Sequence, residues 1–97
     1  MLFTVNHPSL TSNSLDSVVR IAPPGTPIVL IEDGVFIAKD GARDESKIKA
    51  ALKDHPFYAI DADLEARGIS KVIEGIKIIS YDGFVELVEE HEVVPWL

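Results

Sequence analysis

The chain has 97 residues, 46% of them hydrophobic and 26% charged, with no cysteine and a formal net charge of −7. Such a composition describes one small globular domain over residues 1–97 rather than a disordered tail or a fibre, and the missing thiols exclude a cysteine nucleophile, a persulfide carrier and any thiolate metal site within it. Of nine Lys/Arg only four fall in residues 51–97, against ten of the sixteen Asp/Glu, so an acidic second half opposes direct contact with nucleic-acid phosphates.

No apolar run approaches the roughly 18 residues of a membrane-spanning helix, and the first residues lack the charged start and long apolar core of a secretory signal. The expected setting is the cytoplasm, with no membrane contact. A domain of this length buries only about two thirds of the surface its unfolded chain exposes, so added burial against a partner subunit is expected.

In chain order, Leu2 to Val5 reads as a first strand. A helix is expected next, capped by Asn13 or Ser14, with Leu15, Val18, Val19 and Ala22 at helical spacing and Pro23-Pro24-Gly25 as its stop. Ile28 to Ile31 is a second strand, apolar on both faces, which is the pattern of a parallel sheet covered by helices. Val35 to Ala38 suits a short helical turn, residues 39–44 an exposed loop, and Ser46 to Asp54 a helix with Ile48, Ala51 and Leu52 inward. Pro56 biases the chain towards extended geometry, and Phe57 to Ile60 is the third strand. Leu64 to Arg67 is a short helix closed by Gly68. Ile76 to Ile79 is the fourth strand, after which Tyr81-Asp82-Gly83 opens a last helix whose Phe84, Val85, Leu87, Val88 and His91 form a broad apolar stripe. Val93 to Leu97 is a run of exposed hydrophobes. Strands alternating with helices imply right-handed crossovers and a three-layer α/β/α sandwich, with a mostly parallel sheet of four to five strands in flavodoxin-like order.

Three groups of residues could carry chemistry or recognition. Glu32, Asp33, Asp61 and Asp63 place carboxylates at strand ends, where oxygen-rich clusters bind magnesium or accept a phosphoryl group; the same residues serve equally as caps and solvated loop acids, with Gly34 supplying an unusual backbone angle. His7 could pair with Glu32 as a general base, or simply lie on the surface before Pro8; no motif supplies a nucleophile. His55 reads as a helix-end residue and His91 as part of a packed helix face. Trp96 and Leu97 are suited to an interface, or to folding back over the chain's own core. No cofactor or metal site is expected, and a receiver-like phosphoacceptor with Asp61 at the third strand's end is the competing class.

The segments Met1-Leu2-Phe3-Thr4-Val5-Asn6, Leu30-Ile31-Glu32-Asp33-Gly34-Val35, Asp63-Leu64-Glu65-Ala66-Arg67-Gly68 and Tyr81 to Leu87, with Trp96 near the end, resemble the DsrH/TusB family of sulfur-relay subunits over essentially the full chain. The resemblance implies a non-catalytic subunit of a heterohexamer with TusC-like and TusD-like (DsrF-like and DsrE-like) partners. In that family the TusD-like subunit carries the persulfide cysteine, and the relay supplies 2-thiouridine at the tRNA wobble position. A DsrH subunit of the sulfur-oxidation branch, the alternative function the resemblance leaves open, typically has a cysteine in its first helix, where this chain reads Leu15-Asp16-Ser17-Val18-Val19-Arg20. A homo-oligomer of the isolated chain stays open. Candidate interface residues are Phe36, Trp96 and Leu97 for burial, with Glu32, Asp33 and Arg43 shaping a shared surface near the partner's site.

Overall fold

Five short, largely apolar extended segments build an all-parallel sheet: β1 (Leu2–Val5), β2 (Ile28–Leu30), β3 (Phe57–Ile60), β4 (Lys77–Ile79) and β5 (Val93–Pro95). The structure, a computed structural model, describes residues 1–6, 22–41 and 45–95. Between the strands lie a 3-10 helix, η1 (Glu32–Ala38), and three α-helices, α1 (Glu45–Ala51), α2 (Asp61–Ala66) and α3 (Tyr81–Glu90). The helix expected around residues 14–22 falls almost entirely outside the described residues.

Spatial order in the sheet is β4-β3-β2-β1-β5, which corrects the flavodoxin-like order expected from the sequence. In a flavodoxin-like sheet β1 would lie between β2 and β3. Here consecutive strands β1 to β4 instead pair as neighbours, as sequential strands usually do, and β5 takes the open edge of β1. The fifth strand was read from the sequence only as a run of exposed hydrophobes; Leu2 pairs with Val93, Phe3 with Val94 and Thr4 with Pro95. A proline is tolerated there because an edge strand leaves one row of backbone groups unused.

This order decides which face each connection covers. Steps from β1 to β4 all run in one direction across the sheet, so right-handed crossovers put η1, α1 and α2 on a single face, while the return from β4 to β5 puts α3 on the other. Side chains agree. Register aligns Phe3, Ile28 and Phe57, and likewise Val5, Leu30 and Ala59; these pack with Val35, Ile37, Ile48, Ala51, Leu64, Ile69 and Ile73 in one buried cluster. Leu2, Val29 and Ile60, of opposite parity, pack instead with half-buried Phe84 and Leu87 of α3.

Local details fit the sequence that forms them. Ser80 caps α3, its hydroxyl accepting the Gly83 N–H at 3.1 Å, and satisfies one of the free donors of the first turn. Gly68, at φ +68°, closes the turn after α2 in a left-handed conformation. Residues 69–76 tie η1 down: Ile73 N–H donates to the Ala38 carbonyl at 2.8 Å and Asp40 N–H to that of Lys71 at 3.0 Å. At the start of α1, Glu45 accepts the Gly41 N–H at 2.8 Å and sits 3.6 Å from Lys49. The Gly41 bond, more than the lysine, holds its carboxyl below the usual glutamate range.

Candidate functional site at the strand carboxyl ends

Connections leaving adjacent strands diverge at one place in this sheet. The chain leaving β3 turns into α2 on the crowded face, and the chain leaving β4 turns into α3 on the other. Such a divergence opens a crevice beyond the strand ends, the usual location of sites in open α/β sheets.

Asp63 sits in that crevice and is buried. It lies in the first turn of α2, where a carboxylate faces the positive end of the helix. Its Oδ1 accepts the Tyr81 hydroxyl at 2.9 Å, bridging α2 to α3. Its Oδ2 accepts the Glu32 N–H at 2.8 Å, bridging α2 to the end of β2. Arg67, one turn along α2, donates from Nε to Asp33 Oδ1 at 2.9 Å and from Nη1 to the Asp63 carbonyl at 3.2 Å, with Nη1 also 3.8 Å from Asp63 Oδ1. Asp63 is thus the hub of a network that joins three connections across the strand ends.

Two backbone features hold the loop after β2 in this position. Glu32 takes φ +50°, a left-handed conformation that strains a residue with a Cβ; the Asp63 bond to its N–H offsets part of that cost. Gly34 lies against β1: a Cβ placed there would come 2.0 Å from the Val5 carbonyl oxygen and 2.8 Å from its carbon. Only glycine fits, so Gly34 is required by a close approach and not by the unusual angle expected from sequence; the unusual angle belongs to Glu32.

The network shifts one proton affinity. Tyr81 donates to the Asp63 carboxylate, and that bond, with partial desolvation and the negative charges of Asp63 and Glu32, raises its phenol above the ordinary tyrosine value of 10.0. Chemically, Arg67, Asp33 and Asp63 are engaged with one another. Asp63 is satisfied by internal donors and Asp33 is paired with Arg67, while Asp61 is exposed and accepts from the adjacent Ala62 N–H at 2.7 Å. Among the described residues no three of His, Cys, Asp and Glu assemble into a group that could hold a metal ion. Lys77 opens β4 at the end remote from the acids, its Nζ 5.9 Å from the centre of the Tyr58 ring, so the lysine that a receiver-like phosphoacceptor would need is placed elsewhere.

Of the residues expected to matter, Glu32 and Asp33 come together here and Phe36 stands on η1, exposed at 38%. Arg43, Trp96, Leu97 and His7 lie outside the described residues. His55 is buried, its Nδ1 3.1 Å from the Thr26 carbonyl; a carbonyl only accepts, so Nδ1 carries the proton there. His91 is half-buried at the end of α3. Sequence reasoning missed the roles of Arg67 and Tyr81. The i, i+4 spacing of Asp63 and Arg67 was the available signal, whereas nothing local pairs Tyr81 with a residue eighteen positions earlier.

The fold and this crevice define a small α/β domain with an all-parallel sheet and a structural acidic network at its strand ends. The chain belongs to the DsrH family, whose model, described as DsrH like protein, matches residues 7–94. It is 36% identical over 93 residues to Protein TusB of Serratia proteamaculans, and likewise 36% identical over 93 residues to Protein TusB of Escherichia coli K12, each match covering 94% of both chains. Protein TusB of Yersinia pseudotuberculosis is 32% identical over 95 residues, 95% of each chain. Among solved structures, a protein of unknown function from Methanobacterium thermoautotrophicum, MTH1491, superposes with a TM-score of 0.76 at 13% identity, covering 97% of this chain and 96% of its own. Tm0979 from Thermotoga maritima superposes with a TM-score of 0.59 at 27% identity, covering 95% of each.

Proposed function

We propose that this chain is a non-catalytic subunit of a TusBCD-like sulfur-relay complex, supporting persulfide transfer for 2-thiolation of the tRNA wobble uridine in the cytoplasm. The observation that carries the reading is the pairing of a TusB-like sequence with the complete lack of cysteine in these 97 residues. A persulfide passes on its outer sulfur when an acceptor thiolate attacks that sulfur and the carrier cysteine leaves as thiolate. A chain without a thiol neither carries nor accepts sulfur by that route, so its contribution is to position a partner's cysteine. The lack of a thiol in residues 15–20 also favours this branch over a sulfur-carrying DsrH.

The arrangement that goes with this role is one domain over residues 1–97, a three-layer sandwich, assembled with TusC-like and TusD-like chains into a heterohexamer. Glu32, Asp33, Phe36, Arg43, Trp96 and Leu97 are the proposed interface residues. The Asp63 bond to the Glu32 N–H and the Arg67 bond to Asp33 fix the loop that presents Glu32 and Asp33, which supports a structural part for it. Native mass spectrometry of this chain co-expressed with TusC-like and TusD-like subunits tests the proposal. A stoichiometric three-component complex is the expected result; a chain that stays apart from both overturns it.

A further inference from the structure

The apolar stripe of α3 divides into two. Phe84 and Leu87 turn onto the sheet and are half-buried. Tyr81, Val85 and Val88, at i, i+4 and i+7, form a second row along the same helix and stand 49%, 51% and 37% exposed. No residue of α3 is fully buried. Three consecutive large apolar side chains on one side of an amphipathic helix are more than its contact with the sheet requires.

Beside this row the helix carries Asp82, Glu86, Glu89 and Glu90 and no Lys or Arg. Two of these carboxylates lie in the last turn, where the helix dipole disfavours negative charge, and among the described residues none of the four is within ion-pair distance of a cation. Self-pairing is therefore a poor use of the surface, because a two-fold contact sets the same patch against itself and would face these acids with each other. An apolar partner surface bordered by Lys and Arg would cover the valines and neutralise the carboxylates together.

We infer that the Tyr81/Val85/Val88 row of α3 is a docking surface for a different chain, one presenting an apolar centre with a basic rim. The surface is continuous with the strand-end network, because Tyr81 begins the row and donates to Asp63. A partner seated on α3 thereby meets the crevice between β3 and β4. The inference rests on the subunit reading above for the partner's identity and adds the surface and its chemistry.

The test compares binding of the full chain to purified TusC-like and TusD-like subunits with that of a Val85→Asp/Val88→Asp variant and a Glu86→Gln/Glu89→Gln/Glu90→Gln variant. Circular dichroism and thermal melting establish that each is folded, and Val85→Ala/Val88→Ala serves as the milder variant if the aspartates unfold the helix. Expected are roughly 30-fold or more weaker binding for the aspartate variant, the level of a lost hot spot, and a flatter dependence of association rate on salt for the glutamine variant. Wild-type binding that the folded valine variants leave unchanged overturns the surface while the subunit reading stands. An unchanged salt dependence in the glutamine variant overturns the basic rim. A homodimer of this chain that the aspartate variant dissolves overturns the assignment to a different chain, and no complex with either subunit overturns both readings together.

Discussion

The two faces of the sheet are built to different degrees of completion. On the face covered by η1, α1 and α2, sixteen described residues form a continuous buried cluster; on the face covered by α3 the corresponding cluster has three, supplemented by half-buried neighbours. Both faces belong to the same strands, so β-propensity and pairing are shared and the difference lies in what is laid over them. The first face is closed by the chain itself, through tight backbone approach and a tied-down 69–76 segment. Among the described residues, the second is covered by one ten-residue helix. A stable sheet can thus leave one face unfinished without losing its register, provided the other face is complete.

The sharpest way to break this comparison is paired truncation. Ile48→Ala, in the complete cluster, is expected to cost about 3 to 4 kcal/mol, because a buried aliphatic side chain is removed where the surroundings cannot collapse fully. Leu87→Ala on α3 should cost about 1 kcal/mol, since only part of its surface is lost from contact. Urea unfolding of the two variants reads the difference directly. Equal losses would mean that α3 contributes as much to folding as the opposite face does, and the asymmetry would be only apparent.

Gly34→Ala probes the same closed face through the backbone. The new methyl would meet the Val5 carbonyl at 2.0 Å, and neither strand nor η1 can yield without breaking ladder bonds. A loss of about 3 kcal/mol is expected, at the upper end of overpacking, measured by the urea midpoint.

Asp63→Ala tests the seam between the faces, removing the acceptor for Glu32 N–H and the Tyr81 hydroxyl together. About 2 kcal/mol should be lost, the penalty for donors deprived of a partner. The Tyr81 bond also gives the seam a pH signature. Its folded proton affinity is raised, so the native state holds that proton more tightly than the unfolded chain does. The resulting stabilisation is complete below the unfolded tyrosine value of 10.0 and disappears as pH climbs through the folded one. Tyrosinate absorbance should show one phenol titrating late in the wild type and not in Tyr81→Phe, and the stability gap between those two proteins should narrow in strong alkali. A late phenol that survives Tyr81→Phe would place the effect elsewhere.

Local chemistry made most elements legible and long-range pairing did not. Leu2 to Val5, Phe57 to Ile60 and the start of the last helix at Tyr81 fall where short apolar runs, Pro56 and Tyr81-Asp82-Gly83 put them. The order of the sheet was illegible because nothing in β1 encodes whether it adjoins β3 or β5, and connection length does not tell either: residues 80–92, the shortest connection, join β4 to β5 at opposite edges of the sheet. Val93 to Pro95 hid its strand behind a proline and a length of three residues. At the candidate site the acids were visible but their use was not. Asp63 reads in sequence as one more loop carboxylate, and only burial and the donors contributed from α3 and the end of β2 make it a hub.

The smallest expected effect sharpens the comparison most, because its sign separates folding from assembly. Glu90 ends α3, where a carboxylate opposes the helix dipole. If the open face exists for the free chain's own stability, this residue is simply misplaced, and Glu90→Lys should be favourable in every state. If it exists for a partner with a basic rim, the same substitution should stabilise the isolated chain by about 0.5 kcal/mol and weaken the complex, since like charges would then meet across the interface. Thermal melting of the free variant and its affinity for the partner subunits measure the two halves separately. Opposite signs would show that α3 carries charge for a surface the chain does not itself possess; a gain in both would return the acidic row to an unselected solvent face and leave the valines as its only claim to a partner.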